Sequence, residues 1–257
     1  MTRNGLAGLG ISGKTAIVSG SGRGVGRSVA LALAGAGVNI AINYAKDEMS
    51  AASTLEEIRA LGVQAFAIRA DASDESDAIR LVRETEAVLG GVDILVNNAH
   101  GRIVRKPFTD SSWAEHQSQM EGVLKAAFLL SHAVLSGMKA RGWGRIVNVG
   151  NNMKLQPISG YSAYNSAMSS LTGFTRNLAL EAGPSGITVN MVSPGFVLTE
   201  NAPNTTEKVR EAIALATPLR RLAVPDDIAR AVLFFCSELS GFVAGADLSV
   251  DGGKTMG

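Results

Sequence analysis

The sequence holds a single cysteine, Cys236, so no disulfide can form within the chain. Cys236 closes the apolar run "AVLFFC" at 231–236, where the expected role is that of a small buried core side chain. Runs of this length are far shorter than the roughly 20 residues that cross a bilayer. The opening "MTRNGLAGLGISGK" lacks the apolar segment of a secretory signal. Charge of one sign is also missing: 24 Lys and Arg face 23 Asp and Glu, and no basic stripe suits nucleic acid. The expectation is a cytoplasmic protein with neither a nucleic-acid nor a membrane partner. No repeat, low-complexity run or Pro/Ser linker divides the 257 residues, and at 46% hydrophobic they suffice for one α/β domain with a full core. A further absence is local: no lysine occurs between Lys154 and Lys208.

What is present is an alternation. "TAIVSG" (15–20), "VNIAINYA" (38–45), "VQAFAIRAD" (63–71), "DILVNNA" (93–99), "GRIVNVG" (144–150), "ITVNMVSPG" (187–195) and "DLSVDGG" (247–253) read as strands. Helices are expected over 27–37, 48–62, 75–90, about Ser112 to Arg141, and 163–183, the first closing on glycine. Strand followed by helix, repeated, predicts an α/β fold with a doubly wound parallel sheet of seven strands and helices on both faces. Residues 1–12 are expected to form a flexible N-terminal extension of that single domain.

The first strand runs into "SGSGRGVG" (19–26), and a helix follows at once. Gly20, Gly24 and Gly26 permit a tight turn, close approach of a pyrophosphate, and close packing of helix on sheet. The pyrophosphate then meets the positive helix N-terminus. The strand–turn–helix context makes this a dinucleotide loop. The second strand ends "INYAKD". Asn43 and Tyr44 stand where an NAD-binding chain usually has an acid for the ribose hydroxyls, and Asp47 lies further on. Arg23, inside the glycine loop, is placed to grip a 2′-phosphate. The cofactor expectation is NADP(H) in preference to NAD(H).

Together with "NNAH" (97–100), Tyr164, "SPGFVLT" (193–199), "TPLRRLAVPDDIARAVLFFCS" (217–237) and "VDGG" (250–253), these stretches resemble the short-chain dehydrogenase/reductase family. Within it the chain is most similar to β-ketoacyl-acyl-carrier-protein reductases, from about residue 12 to 253. The resemblance implies a single-domain Rossmann fold. It implies that Gly20, Ser21, Arg23, Val25 and Gly26 form the phosphate loop and that Asp71 and Ala72 flank the adenine. Asn98 and Ala99 would contact the adenosine ribose, and Pro194, Gly195, Val197 and Thr199 would orient the nicotinamide. It also implies a homotetramer built on "EGVLKAAFLLSHAVL" (121–135) and "DIARAVLFFCSELSGFVAGADLSV" (227–250). A loop over 202–216, polar at its start and apolar at "AIALA", would cover the cleft and suit a medium-sized, partly apolar small molecule.

The catalytic positions depart from the family. Its members use Asn, Ser, Tyr and Lys together. The Tyr exchanges a proton with the substrate oxygen, and the Lys lowers the Tyr pKa and holds the nicotinamide ribose. The Ser orients the carbonyl, and the Asn supports a water relay. Aligned on "FTRNLALE" (174–181), Tyr164 takes the tyrosine place and Met168 the lysine place. A rival alignment on Tyr161 puts Asn165 there, so the lysine is missing either way. Asn151, thirteen residues before Tyr164, takes the serine place; Val123 takes the asparagine place; His100 replaces the glycine of "NNAG". A free phenol has a pKa near ~10. Losing a cation that shifts it by two or three units costs ~3–4 kcal/mol, or ~10²–10³ in rate. A protonated phenol still donates to a developing oxyanion, and Asn151 offers an NH₂ donor.

His100, able to exchange protons near neutral pH, and Lys154, in the loop after the fifth strand, are candidate substitutes; a harmless loop residue and a solvated charge are the alternatives. Tyr161 is a candidate for the cleft wall, while His116, His132, Trp113 and Trp143 read as packing or surface residues. No metal site is assigned. Three functions remain open. The chain is an NADPH-dependent carbonyl reductase with a depleted site. Alternatively it is a non-redox cyclase, isomerase or dehydratase on the same scaffold, with the cofactor absent. The third is a nucleotide-binding pseudoenzyme that partners an active relative.

Overall fold

The computed structural model describes residues 7–200 and 205–256. Strands β1 (Thr15–Val18), β2 (Asn39–Tyr44), β3 (Ala65–Arg69), β4 (Ile94–Asn97), β5 (Gly144–Val149), β6 (Ile187–Pro194) and β7 (Asp247–Val250) form one parallel sheet. Their order is β3-β2-β1-β4-β5-β6-β7. Between them run α1 (Gly24–Gly35), α2 (Glu48–Ala60), α3 (Glu75–Leu89), α4 (Trp113–Arg141), α5 (Ser162–Ala182), α6 (Glu207–Leu215) and α7 (Pro225–Cys236). Parallel neighbours require such crossovers. The order reverses between β1 and β4, so the loops leaving their C-terminal ends diverge and open a crevice at that edge.

The sheet is buried on both faces, and successive strand residues serve opposite cores. Ala16, Val18, Ile94 and Val96 pack with Val29, Leu33, Ile58, Ile228 and Val232 under α1, α2 and α7. Ile17 and Leu95 pack with Leu81, Leu130, Val134 and Met138 under α3, α4 and α5. Each such aliphatic side chain contributes about 1.5–3 kcal/mol when removed from water. Local chemistry sets the helix starts. Asp47 and Asp74 cap α2 and α3 by accepting the N–H of Ser50 and Asp77. Ser112 and Glu115 satisfy each other's backbone N–H at the start of α4. Trp113–Arg141 is long and apolar enough, by length and composition, to cross a membrane; in this fold Leu130, Val134 and Met138 bury its inner face against the sheet. Its path is interrupted by one π turn at Glu121–Lys125.

Two expectations are corrected. The chain is anchored before residue 12: Ala7–Leu9 form a 3-10 turn, and Ile11 is fully buried in the first core. The rest of the expected flexible extension, residues 1–6, lies outside the described residues. The loop expected over 202–216 holds helix α6, because "EKVREAIAL" places its apolar residues at helical spacing; residues 202–204 lie outside the described residues.

A polar network crosses the middle of the fold. Asn97 Nδ2 donates to Asn148 Oδ1 at 2.8 Å, and Asn148 Nδ2 donates to Thr175 Oγ1 at 2.8 Å. It ties β4 to β5 and β5 to α5. Asn148→Ala strips Thr175 Oγ1 of its donor, while Asn97 Nδ2 keeps Ser131 Oγ at 3.2 Å, so one buried group loses its partner at about 1–3 kcal/mol. Urea unfolding is therefore expected to show a loss of about 1–3 kcal/mol with an unchanged slope; a loss below about 0.5 kcal/mol would show that water replaces the amide.

Candidate active site

The glycine loop is shaped by close approach. A Cβ on Gly26 would press on the Gly20 carbonyl and come within 2.5 Å of Asn98 Nδ2. Gly20 and Gly24 have φ of +64° and +57°, a region that favours glycine. Asn98 Nδ2 donates to the carbonyls of Ser19 and Gly20, at 3.0 and 3.3 Å. The backbone N–H groups of Asn98 and Ala99 donate to Ser19 Oγ. The ends of β1 and β4 are thus stitched together beneath the crevice. Arg23 precedes α1 and its side chain does not cap it, so the first N–H groups of the helix face outward. A glycine cradle below uncapped N–H groups fits a dinucleotide pyrophosphate. Thr199 reaches over Gly24 from the segment after β6, and Val197 bridges to Ala223. Val25 is half-buried beside Gly26 on the first turn of α1.

Three expected cofactor residues have other partners. Asn43 is buried: its Oδ1 accepts from Gly20 N at 3.3 Å and its Nδ2 donates to Ala70 O at 2.9 Å. It leaves no side-chain group for a ribose and shapes the cleft through Gly20, which corrects its placement among direct contacts. Ser21 is likewise buried, its hydroxyl donating to Val18 O at 2.7 Å and accepting from Asn43 N. Its contribution to the loop is therefore its backbone. Asp71 follows β3 and holds Ser73 through Oδ1, while Ala72 is buried. Arg23 is exposed and pairs with Asp47 at 3.2 Å. Pro194 ends β6; Gly195 follows, where a Cβ would lie 2.9 Å from Asp251 Cβ.

On the other side of the crevice lies Tyr164, 7% exposed, packed with Val123, Ala127, Ala167, Met168 and Leu171. The lysine place and the asparagine place are thus two neighbouring walls of one apolar cluster. Val123 and Met168 also line a small cavity of about 10 Å³, together with Ser19, Asn97 and Ala99. That is room for one water at most. Burial pushes the Tyr164 phenol up to about 12; a hydrogen bond from the Asn151 side chain pulls it downward and Tyr161 adds to the rise. No cation contributes. Asn151 Oδ1 accepts from Met153 N at 3.0 Å, which fixes the amide, and its buried Nδ2 lacks a well-aligned acceptor. A buried amide donor beside a protonated phenol is suited to bind an oxygen that gains negative charge.

Lys154 does not take over from the missing lysine. Its ammonium pairs with Asp247 on β7 and donates to Ser193 Oγ at 2.6 Å on β6. Ser193 in turn donates to Asp247 Oδ1 at 2.6 Å. The expected role as an acid–base substitute is corrected to a half-buried ion pair that anchors the Asn151 loop. Asn152 fastens the same loop to Asp251 at 3.1 Å. His100 does reach the site: its ring meets that of Tyr164 edge-on at 6.1 Å, and its Nδ1 lies 2.9 Å from Gly101 O. Tyr161 lies 6.5 Å from Tyr164, ring to ring, and carries the Arg105 guanidinium 5.3 Å above its own face. Arg105 was not foreseen; the signal for it was a loop, 100–107, with three cations and no acid. Among the described residues no group of three His, Cys, Asp or Glu side chains is arranged to hold a metal.

Comparison with known proteins gives the family. A model described as enoyl-(acyl carrier protein) reductase matches residues 20–255. The acetoacetyl-CoA reductase of Allochromatium vinosum is 35% identical over 244 residues, covering 95% of this chain and 99% of that one. The 3-oxoacyl-acyl-carrier-protein reductase FabG of Aquifex aeolicus is 33% identical over 243 residues, covering 95% and 98%. The structure of 7 alpha-hydroxysteroid dehydrogenase complexed with NADH and 7-oxo glycochenodeoxycholic acid superposes with a TM-score of 0.91 at 34% identity, covering 96% of each chain. The chain belongs to the short-chain dehydrogenase/reductase family. It is a single-domain Rossmann-type member, homologous to the FabG reductases.

The phenol's raised pKa has a defined sign. The folded chain favours the protonated form, so stability is full below pH ~10 and falls as pH climbs toward about 12. Met168→Lys places an ammonium in the apolar cluster and is expected to lower the Tyr164 pKa by at least a unit, read from ultraviolet absorbance. It should also cost about 3 kcal/mol, the order of an uncompensated buried charge. Addition of Val123→Asn should recover part of that loss. An unmoved titration in Met168→Lys would mean that the new side chain turns away from Tyr164.

Proposed function

We propose that the chain is an NADP(H)-dependent carbonyl reductase that runs in the direction of reduction. The observation that carries this reading is the protonated Tyr164 beside the buried Nδ2 of Asn151, at the C-terminal edge of a sheet whose glycine loop fits a dinucleotide. When bound, the reduced nicotinamide supplies the hydride. Asn151 Nδ2 donates to the carbonyl oxygen and polarises it. Tyr164 Oη donates its proton to the same oxygen as charge develops there. His100, on the exposed side of Tyr164, is placed to return a proton to the phenolate. The apolar walls of Val123 and Met168 keep water from the inner side. Alcohol oxidation needs a tyrosinate at the start, and a phenol near 12 denies it at neutral pH.

The relatives are named as reductases and a dehydrogenase that act on carbonyl or hydroxyl groups, which supports reduction over a non-redox reaction. Arg23 supports a 2′-phosphate, with Asp47 held beside it as its counter-ion. The reading includes a homotetramer in the cytoplasm acting on a small molecule.

Two measurements test this. Tyr164→Phe should reduce ketone-dependent NADPH consumption by at least 10²-fold, with NADPH binding unchanged within about twofold. Full activity in Tyr164→Phe, or turnover with no nucleotide present, would return the non-redox reading. Arg23→Ala should raise the Kd for NADPH by about tenfold, the loss of one charge-assisted contact, and leave NADH within about twofold. Equal effects on both nucleotides would overturn the NADP(H) preference.

A further inference from the structure

The rim of the site outside Tyr164 is built from two loops that brace each other. The loop after β4 is pinned to α4 by Gln119, which is buried. Gln119 Nε2 donates to Arg102 O at 2.9 Å and its Oε1 accepts from Val104 N at 3.3 Å. The same loop is joined to the loop before α5, where Lys106 N donates to Gly160 O at 2.9 Å. Arg105 stands at that junction. Its side chain runs past Gly160, and its guanidinium lies over the Tyr161 ring, whose far neighbour is Tyr164.

The charges of this rim are unbalanced. Lys106 is paired with Glu115 at 2.5 Å. Arg105 has no carboxylate partner among the described residues, although it is held by a ring and two braced loops. A guanidinium fixed by stacking keeps its in-plane N–H donors free for a carboxylate or a phosphate. Its place, one aromatic ring out from Tyr164, sets the distance from the reacting carbonyl to the charge.

We infer that the substrate is an anionic ketone, bearing a carboxylate or phosphate several bonds from its carbonyl, and that Arg105 receives the anion. The inference rests on the reductase reading for its chemistry and on the Arg105 geometry for its specificity. Tyr161 supports the guanidinium and packs against the carbon chain between the two polar ends. Arg105 touches the substrate away from the reacting atoms, so its removal acts on KM.

The test compares 5-oxohexanoate with its methyl ester, and dihydroxyacetone phosphate with dihydroxyacetone. Wild-type protein and Arg105→Gln are assayed with NADPH, and each compound's binding is measured by calorimetry. Wild type should favour the anionic member of at least one pair by ten- to a hundredfold in kcat/KM, the range of one charge-assisted hydrogen-bond pair. The pair that shows this identifies carboxylate or phosphate. Arg105→Gln should abolish the preference through KM with kcat within about threefold, and Arg105→Lys should restore part of it. Equal use of charged and neutral members, or a preference that survives in Arg105→Gln, overturns the inference and leaves the reductase reading intact. Anion binding that needs Arg105 but consumes no NADPH overturns the reductase reading and upholds the anion site. Absence of both anion binding and turnover overturns the anion site.

Discussion

The Tyr164 side chain is buried among Val123, Ala127, Met168 and Leu171 with the Asn151 amide at its hydroxyl, and the free energy of placing charge there governs what the cleft can do. In a low-dielectric wall an anion without a counter-ion is costly, so the phenol keeps its proton through the whole neutral range. A group that always holds its proton is a standing acid. It serves a reaction that ends with a proton on oxygen and obstructs one that begins by taking it off. In the proposed reaction the preference for reduction rests on this packing and not on the cofactor cradle across the crevice.

The changes at the catalytic positions agree with one another. Replacing only the lysine place would leave a polar asparagine facing a thioether, and replacing only the asparagine place would leave an ammonium beside a valine. With Val123 and Met168 together the wall is consistently apolar, and the cavity beside it is small, about 10 Å³. The cations that remain near the site are held elsewhere: Lys154 by Asp247 and Ser193, Arg105 by the Tyr161 ring. Lys154 therefore acts on the chemistry by holding the loop that carries Asn151.

The sheet and the glycine loop were legible because their signals are local. Strand residues buried on both faces read as apolar runs, and Ser112 with Glu115 marks the start of α4 within four residues. The destinations of long or polar side chains were not legible. Lys154 meets Asp247 across 93 positions of sequence, and Asn43 meets Gly20 and Ala70 through strand neighbours that no periodicity specifies. Helix α6 reads as loop in the sequence because its start is charged and only nine residues carry the pattern. At the site, Tyr164, Met168, Val123 and Asn151 were placed together by the family alignment, and the structure sets them around one wall. Arg105 gave no signal beyond local charge, since stacking on Tyr161 depends on two loops meeting in space.

The π turn at Glu121–Lys125 inserts one residue into the repeat of α4. An α-helix advances about 100° per residue. The eight residues Trp113–Met120 are therefore phased against the rest of α4 by that single extra position. Gln119 lies on the early segment and holds the rim loop, whereas Leu130 and Met138 lie on the late segment and hold the sheet. Val123 sits at the joint. The wider π turn takes up the extra residue, so Gln119 still faces the rim loop while Leu130 and Met138 face the sheet. A residue inserted or deleted elsewhere between them has no such slack and would turn one face about 100° against the other.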